Sequence, residues 1–202
     1  MSLQVQQVDI NEAHEPSPAL KSLFSIVESV SKDKLDVSTR SKVDIKVEPH
    51  EVESMVFGKW MAMILLCGPD LEVTFKLHYD LPIAIKILES CLPKGLSNDP
   101  QGKVSDFFQE LCNTCAGEVK AILDKQKIVV GLSLPLSLRG SDEIMFSQRK
   151  NYHHQSNYWL LATDQGNLVC STHIDIVRPE RVAHIEVPKE PIKTKKRKIA
   201  FL

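Results

Sequence analysis

SDFFQELCNTCAGEVKAILDK, residues 105–125, carries two kinds of candidate chemistry on one helical stretch. Cys112 and Cys115 have the spacing of a metal or redox pair. Asp106, Glu110 and Asn113 are polar residues among core formers. A wheel of about 100° per residue with Glu110 at zero separates them. Phe108, Leu111, Cys115, Val119, Ile122, Val104, Cys112 and Leu123 fall between roughly 100° and 220°, a core stripe that includes both cysteines. Asp106, Asn113, Gly117 and Glu110 fall between roughly 300° and 360°, a narrow polar stripe on the other side.

The geometry favours the polar residues as the working part. A cysteine buried in a helix behaves as a small hydrophobe, and a redox pair usually sits at a helix N-terminus, which lowers the thiol pKa. This pair lies more than a turn inside. A zinc site at Cys112 and Cys115 would need further ligands such as His153 and His154. Asn is a mediocre helix former, and Gly117 costs about 1 kcal/mol relative to Ala in a helix. Against a plain solvated face, a carboxylate, a carboxamide and a bare glycine in line make a surface suited to contact.

Elements follow outward from this helix. Upstream, DLPIAIKILESCL starts a helix with Asp80 as N-cap and Pro82 in its first turn, and 93–102 is a turn-rich loop. SMVFGKWMAMILLCG and LEVTFKLHY read as a hairpin over 55–79, turned at Gly68-Pro69-Asp70. Before it, Val43, Ile45 and Val47 alternate with charged residues as a strand does. The first helix opens at Ser17-Pro18 and carries Leu20, Leu23, Phe24, Val27 and Val30 at helical spacing. Downstream, KIVVGLSLPLSLRG reads as one strand. NYWLLATD and NLVCSTHIDIV form a hairpin about Asp164-Gln165-Gly166-Asn167. The expected class is α/β in the loose sense (α+β), an antiparallel-rich sheet covered by helices. There is no glycine-rich phosphate loop and no nucleophile elbow.

Composition bounds the rest. The 202 residues suit one domain with tails: an N-terminal arm over 1–17, a folded unit over 18–178 and a basic tail over 179–202. A net charge of −1 gives no global attraction to nucleic acid or to an anionic membrane, so neither is expected as a partner. Five cysteines, an odd number without a dense framework, fit a reducing, cytoplasmic setting. The apolar run Met61–Cys67 is far too short to span a bilayer. The tail holds Lys193, Lys195, Lys196, Arg197 and Lys198, then Ile199, Phe201 and Leu202. Its readings stay open between a disordered segment, an anionic-surface contact and a tether.

Asp106-x-x-x-Glu110-x-x-Asn113, then Ala116-Gly117 and Lys120, then SLPLSLRG with Pro135, resembles the CheC/CheX/FliY family of chemotaxis phosphatases. The best match covers 104–140, and the element order agrees over about 18–178. CheC-like members carry two helix motifs. This chain has one, because SIVESVSK in the first helix puts Ser31 where Asn is needed, and a single copy is similar to CheX. The resemblance implies a CheX-like fold, a homodimer joined through sheet edges, and a CheY-type response regulator phosphorylated on an aspartate as substrate. It implies no cofactor of the protein's own, with Mg²⁺ held by the regulator. Asn113 and Glu110 become the catalytic residues. Asn113 positions the attacking water, and Glu110 pairs with a lysine of the partner. Asp106 and Gly117 complete the partner-binding surface. Two other readings stay open at this stage: a module of the same fold that binds a regulator or motor component without catalysis, and an unrelated zinc-binding domain.

Overall fold

The computed structural model describes residues 16–39, 44–46, 57–91, 99–139 and 154–189. In chain order these form helix α1 (Pro18–Thr39), strands β1 (Asp44–Lys46), β2 (Trp60–Cys67) and β3 (Leu71–Tyr79), helices α2 (Leu81–Cys91) and α3 (Pro100–Lys125), strands β4 (Gly131–Leu132), β5 (Leu136–Arg139), β6 (His154–Thr163) and β7 (Gly166–Ile176), and a short helix α4 (Pro179–Val182). The strands make one sheet in the order β1-β6-β7-β3-β2, with β4 and β5 both on the free side of β2. Every pairing is antiparallel. The antiparallel sheet with its helices is the class that alternation predicted.

Period-two alternation decides which face is covered. On β3, Val73, Phe75, Leu77 and Tyr79 point to one side, and their ladder partners include Leu66, Ile64 and Ala62 on β2 and Ile174 and Cys170 on β7. These side chains pack with the apolar stripes of α1, α2 and α3 in a single core. Phe75 stacks on Trp159 at 6.0 Å between ring centroids, and Tyr79 stacks on Phe108 of α3 at 4.4 Å. Burying a phenylalanine contributes about 1.5–3 kcal/mol, so Phe107 and Phe108, both without exposed surface, anchor α3 to the sheet.

The turns are built as the sequence indicates, with two local differences. Between β2 and β3 the Gly68 amide donates to the Leu71 carbonyl at 3.0 Å. A Cβ at Gly68 would overlap the Val129 carbonyl oxygen, so this close approach of two backbones admits only glycine. Asp80 does not cap α2 with its side chain. Its carboxylate accepts from the Lys59 amide at 3.1 Å, while its carbonyl accepts from Ala84 at 2.9 Å. A cross-link between chain segments has taken the oxygen that a cap would use. The first turn of α2 tolerates this because Pro82 has no N–H to satisfy.

The expected single strand over KIVVGLSLPLSLRG is two. Leu132 pairs with Leu66 and Leu136 with Met63, so two residues of β2 face three residues of its neighbour. That is a one-residue β-bulge at Ser133–Pro135. Ser133 completes it: its amide donates to the Leu65 carbonyl at 2.9 Å, and its Oγ accepts from the Leu65 amide at 3.0 Å. Pro135 fits because a bulge on an edge strand needs no donor there. At the other end, Val182 and Ile185 join the core, so the packed unit extends past residue 178. Residues 1–15 and 190–202 lie outside the described residues, as does the 92–98 part of the expected loop. No described helix is long and apolar enough to cross a membrane.

Burial controls three of the thiols. It pushes Cys115 up to about 12 and Cys112 and Cys170 well above the usual thiol value. Raised values mean that the native state loses stability as the pH climbs above about 9, where an unfolded thiol ionises. Native-state labelling at pH 8 should modify exposed Cys67 and, more slowly, half-buried Cys91. The other three thiols should react only on unfolding. Fast native labelling of Cys112 or Cys115 would contradict the core packing of α3.

Candidate functional site

The site is built on α3, which starts earlier than the apolar pattern alone suggests. Asp99 caps it, its Oδ1 accepting from the Gly102 amide at 2.9 Å, and Pro100 takes the first helical position. The apolar side is also broader than the wheel indicated. Phe107, Ala116 and Glu118 are buried in addition to the expected stripe. Glu118 is held there by Lys34 of α1, Nζ to Oε2 at 2.9 Å. An ion pair between two helices hid this acid from a pattern that counts only apolar residues.

The opposite stripe is where the wheel placed it. Asp106 is exposed, and Glu110, Asn113 and Gly117 are half-buried. Asn113 Nδ2 donates to Glu110 Oε2 at 3.3 Å. This bond turns the carboxamide so that Oδ1 remains as its acceptor, and Oδ1 has no partner among the described residues. Neither Glu110 nor Asp106 has a basic partner among the described residues. A Cβ added at Gly117 would meet nothing within 4 Å. No internal packing demands that glycine, and its absent side chain leaves the next turn of the stripe bare. The arrangement can hold one water at a neutral acceptor and one cation at a carboxylate, one turn apart.

Lys120, which the sequence pattern groups with the stripe, has a structural task. Its Nζ donates to the Val130 carbonyl at 2.8 Å and pairs with Asp124 at 3.1 Å, tying the start of β4 to α3. Pro135 lies in the bulge rather than in a continuous strand. Cys112 and Cys115 are in the core, apart from the polar stripe. Among the described residues no three His, Cys, Asp or Glu side chains are grouped to hold a metal. His153 lies outside the described residues.

The corresponding stretch of α1 is spent on packing. Glu28 accepts from Asn157 Nδ2 of β6, and burial raises its carboxyl above the usual range. Ser31, where a second motif would have Asn, is buried and accepts from Trp159 Nε1 at 3.2 Å. The chain has one exposed carboxylate–carboxamide stripe among the described helices.

No family model matches the sequence, and no curated protein does either. Solved structures do match. A CheC-like superfamily protein from Shewanella sp. PV-4 superposes with a TM-score of 0.59 at 13% identity, covering 76% of this chain and 97% of that one. The fold is that of the CheC-like and CheX proteins. The chemotaxis protein CheX from Desulfovibrio desulfuricans matches at 0.58 and 12% identity, over 76% of this chain and 99% of that one. The CheX–CheY–BeF3–Mg²⁺ complex from Borrelia burgdorferi matches at 0.54 and 16% identity, over 80% and 99%. The middle domain of FliM from H. pylori shares the architecture at 0.53 and 9% identity, over 84% and 98%. The resemblance read from Glu110, Asn113 and Pro135 therefore extends to the CheX-like fold of the chain.

Because the Cβ position at Gly117 is empty, Gly117→Ala should stabilise the protein by about 0.5–1 kcal/mol through helix propensity alone. Urea unfolding followed by circular dichroism measures it. A destabilised variant would show that the stripe is packed against something.

Proposed function

We propose that this protein is a phosphatase for the aspartyl phosphate of a CheY-type response regulator, docked on the exposed stripe of α3. The observation that carries the reading is the Asn113–Glu110 hydrogen bond on a face left bare at Gly117. Support for the partner class comes from the fold neighbour in a CheX–CheY–BeF3–Mg²⁺ complex.

The chemistry asks little of the protein. An acyl phosphate is already activated, and the regulator brings the Mg²⁺ that neutralises its oxygens, so the phosphatase needs no cofactor of its own. The water oxygen bonds to phosphorus as the bond to the aspartyl oxygen breaks, giving inorganic phosphate and a free carboxylate. Positioning and electrostatics dominate such a step. Asn113 Oδ1 accepts a hydrogen bond from the water and aims it in line, and its neutrality adds no charge beside the phosphoryl group. Glu110 orients the amide through Nδ2 and pairs with a lysine of the regulator's active site. Asp106 adds a peripheral negative charge at the rim, and Gly117 lets the partner approach.

Asn113→Ala should cut the accelerated dephosphorylation by about 100-fold or more while largely preserving binding to the phosphorylated regulator. Glu110→Ala should weaken both, by about tenfold in low salt, with the gap narrowing as salt screens the ion pair. An unchanged rate with Asn113→Ala sinks the enzymatic reading. The likeness to the FliM middle domain would then favour the second one, a non-catalytic module that holds a regulator or motor component on the same helix.

Among the described residues the sheet ends in β1 on one side and the short β4 and β5 on the other, and strand edges that stay unpaired need cover. A homodimer joined through a sheet edge supplies it. Sedimentation velocity at micromolar concentration should give twice the chain mass, and a monomer there would refute the dimer.

A further inference from the structure

Asn113 offers an attacking water one acceptor, and a water held by one hydrogen bond still rotates about it. In-line attack needs the lone pair fixed, and a second acceptor for the other O–H fixes it. The surface neighbours of a helical residue lie three and four positions away. For Asn113 these are Gln109, Glu110, Ala116 and Gly117. Ala116 and Gly117 bring no polar side chain. Glu110 is charged and already accepts from the Asn113 amide. Gln109 is the neutral amide of the four, and it is half-buried, as Asn113 is.

We propose that Gln109 Oε1 is the second acceptor for the attacking water. The inference rests on the reading that Asn113 positions that water, and it adds the group that completes the hold. Gln109 Nε2 donates to Ser105 Oγ at 2.9 Å, and Asn113 Nδ2 donates to Glu110 Oε2 at 3.3 Å. Both amides are pinned in the same way, by their N–H to a residue one turn nearer the start of α3. Each then presents a carbonyl oxygen that has no partner among the described residues. With Glu110 at zero on the wheel, Asn113 falls at about 300° and Gln109 at about 260°. Glu110 and Gln109 therefore flank Asn113, and drawing Nδ2 to Glu110 turns Oδ1 to the side of Gln109. The anchor of Gln109 is itself held. Ser105 interacts with the Tyr79 hydroxyl, and Tyr79 is fixed by Ser137 and by its stack on Phe108.

Reach and chemistry agree. Residues four apart on a helix have Cβ atoms about 5–6 Å apart. A water bonded to two oxygens at about 2.8 Å each spans up to about 5.5 Å. With both hydrogens so engaged, the water turns a lone pair outward to the phosphorus of a docked regulator. Its oxygen bonds to phosphorus as the electron pair of the breaking P–O bond stays on the aspartyl carboxylate. One hydrogen remains on the attacking oxygen and the other passes to a phosphoryl oxygen, so neither amide takes a proton. Two neutral acceptors hold the water without placing a charge beside the phosphoryl oxygens, which a second carboxylate would do.

The test is single-turnover dephosphorylation of the cognate CheY-type regulator, phosphorylated with acetyl phosphate, at saturating wild type, Gln109→Met or Ser105→Ala. Gln109→Met keeps side-chain length and helix propensity but removes the acceptor. It should lower the saturated rate by about tenfold. Affinity for the regulator carrying BeF3 and Mg²⁺, measured by titration, should stay within about twofold, and thermal unfolding should be unchanged. Ser105→Ala loosens the amide but keeps its oxygen, so it should slow the saturated rate by only about two- to threefold. A Gln109 that merely supports the helix would shift thermal unfolding in both variants and leave the saturated rate alone, which overturns the inference. A loss confined to affinity overturns it too. Asn113→Ala in the same assay separates the two failures. Slow Asn113→Ala beside wild-type turnover in Gln109→Met strikes this inference alone, whereas wild-type turnover in Asn113→Ala removes the phosphatase reading and this one with it.

Discussion

The stacking of Phe108 on Tyr79 is the contact on which the rest of the arrangement depends. It fixes the rotation of α3 about its own axis, and a helix has only one rotation to give. With Phe107, Phe108, Cys112 and Cys115 turned to the sheet, Glu110, Asn113 and Gly117 are turned away from it. The same Tyr79 reaches Ser137 of β5, so one ring ties both α3 and β5 to β3. A core residue here is also a positioning element for the surface.

The helices divide the labour unequally. α1 has an acid and a hydroxyl at the spacing of the motif, yet both are consumed inside: Glu28 by Asn157, Ser31 by Trp159. Its Lys34 neutralises Glu118 of α3, which keeps α3's own buried acid from being an unpaired charge. α1 therefore locks the layer together with polar bonds. On its outward stripe α3 gives Asp106, Glu110 and Asn113 no partner among the described residues apart from the Asn113–Glu110 bond. The free carboxylate and the free amide oxygen are what a partner can use.

That one bond also sets what the stripe presents. A carboxamide can present either a donor or an acceptor, and a carboxylate neighbour selects the acceptor by taking up the N–H. The product is a neutral acceptor and an anion one helical turn apart, on a face with an empty Cβ position. Such a pair suits water orientation beside an anionic phosphoryl group better than it suits metal binding or nucleophilic attack.

Much of this was legible from the sequence because it follows from period. The 3.6-residue repeat in 105–125 separated the cysteines from Glu110, Asn113 and Gly117, and the period of two gave the hairpins and the antiparallel sheet. Local chemistry also marked Gly68-Pro69-Asp70 as a turn. Tertiary structure decided what depends on partners distant in the chain. Asp80 reads as a cap until Lys59 claims its carboxylate, and Glu118, outside the apolar pattern, is buried because Lys34 meets it. The run Leu132, Leu134, Leu136, Leu138 reads as one buried face. The ladder with β2 alone shows the extra residue, because a bulge is a count between two strands and a single strand cannot display it. Pro135 was its only sign in the sequence. Which polar residues stay free was decided in the same way, since freedom from partners is a property of the packed molecule.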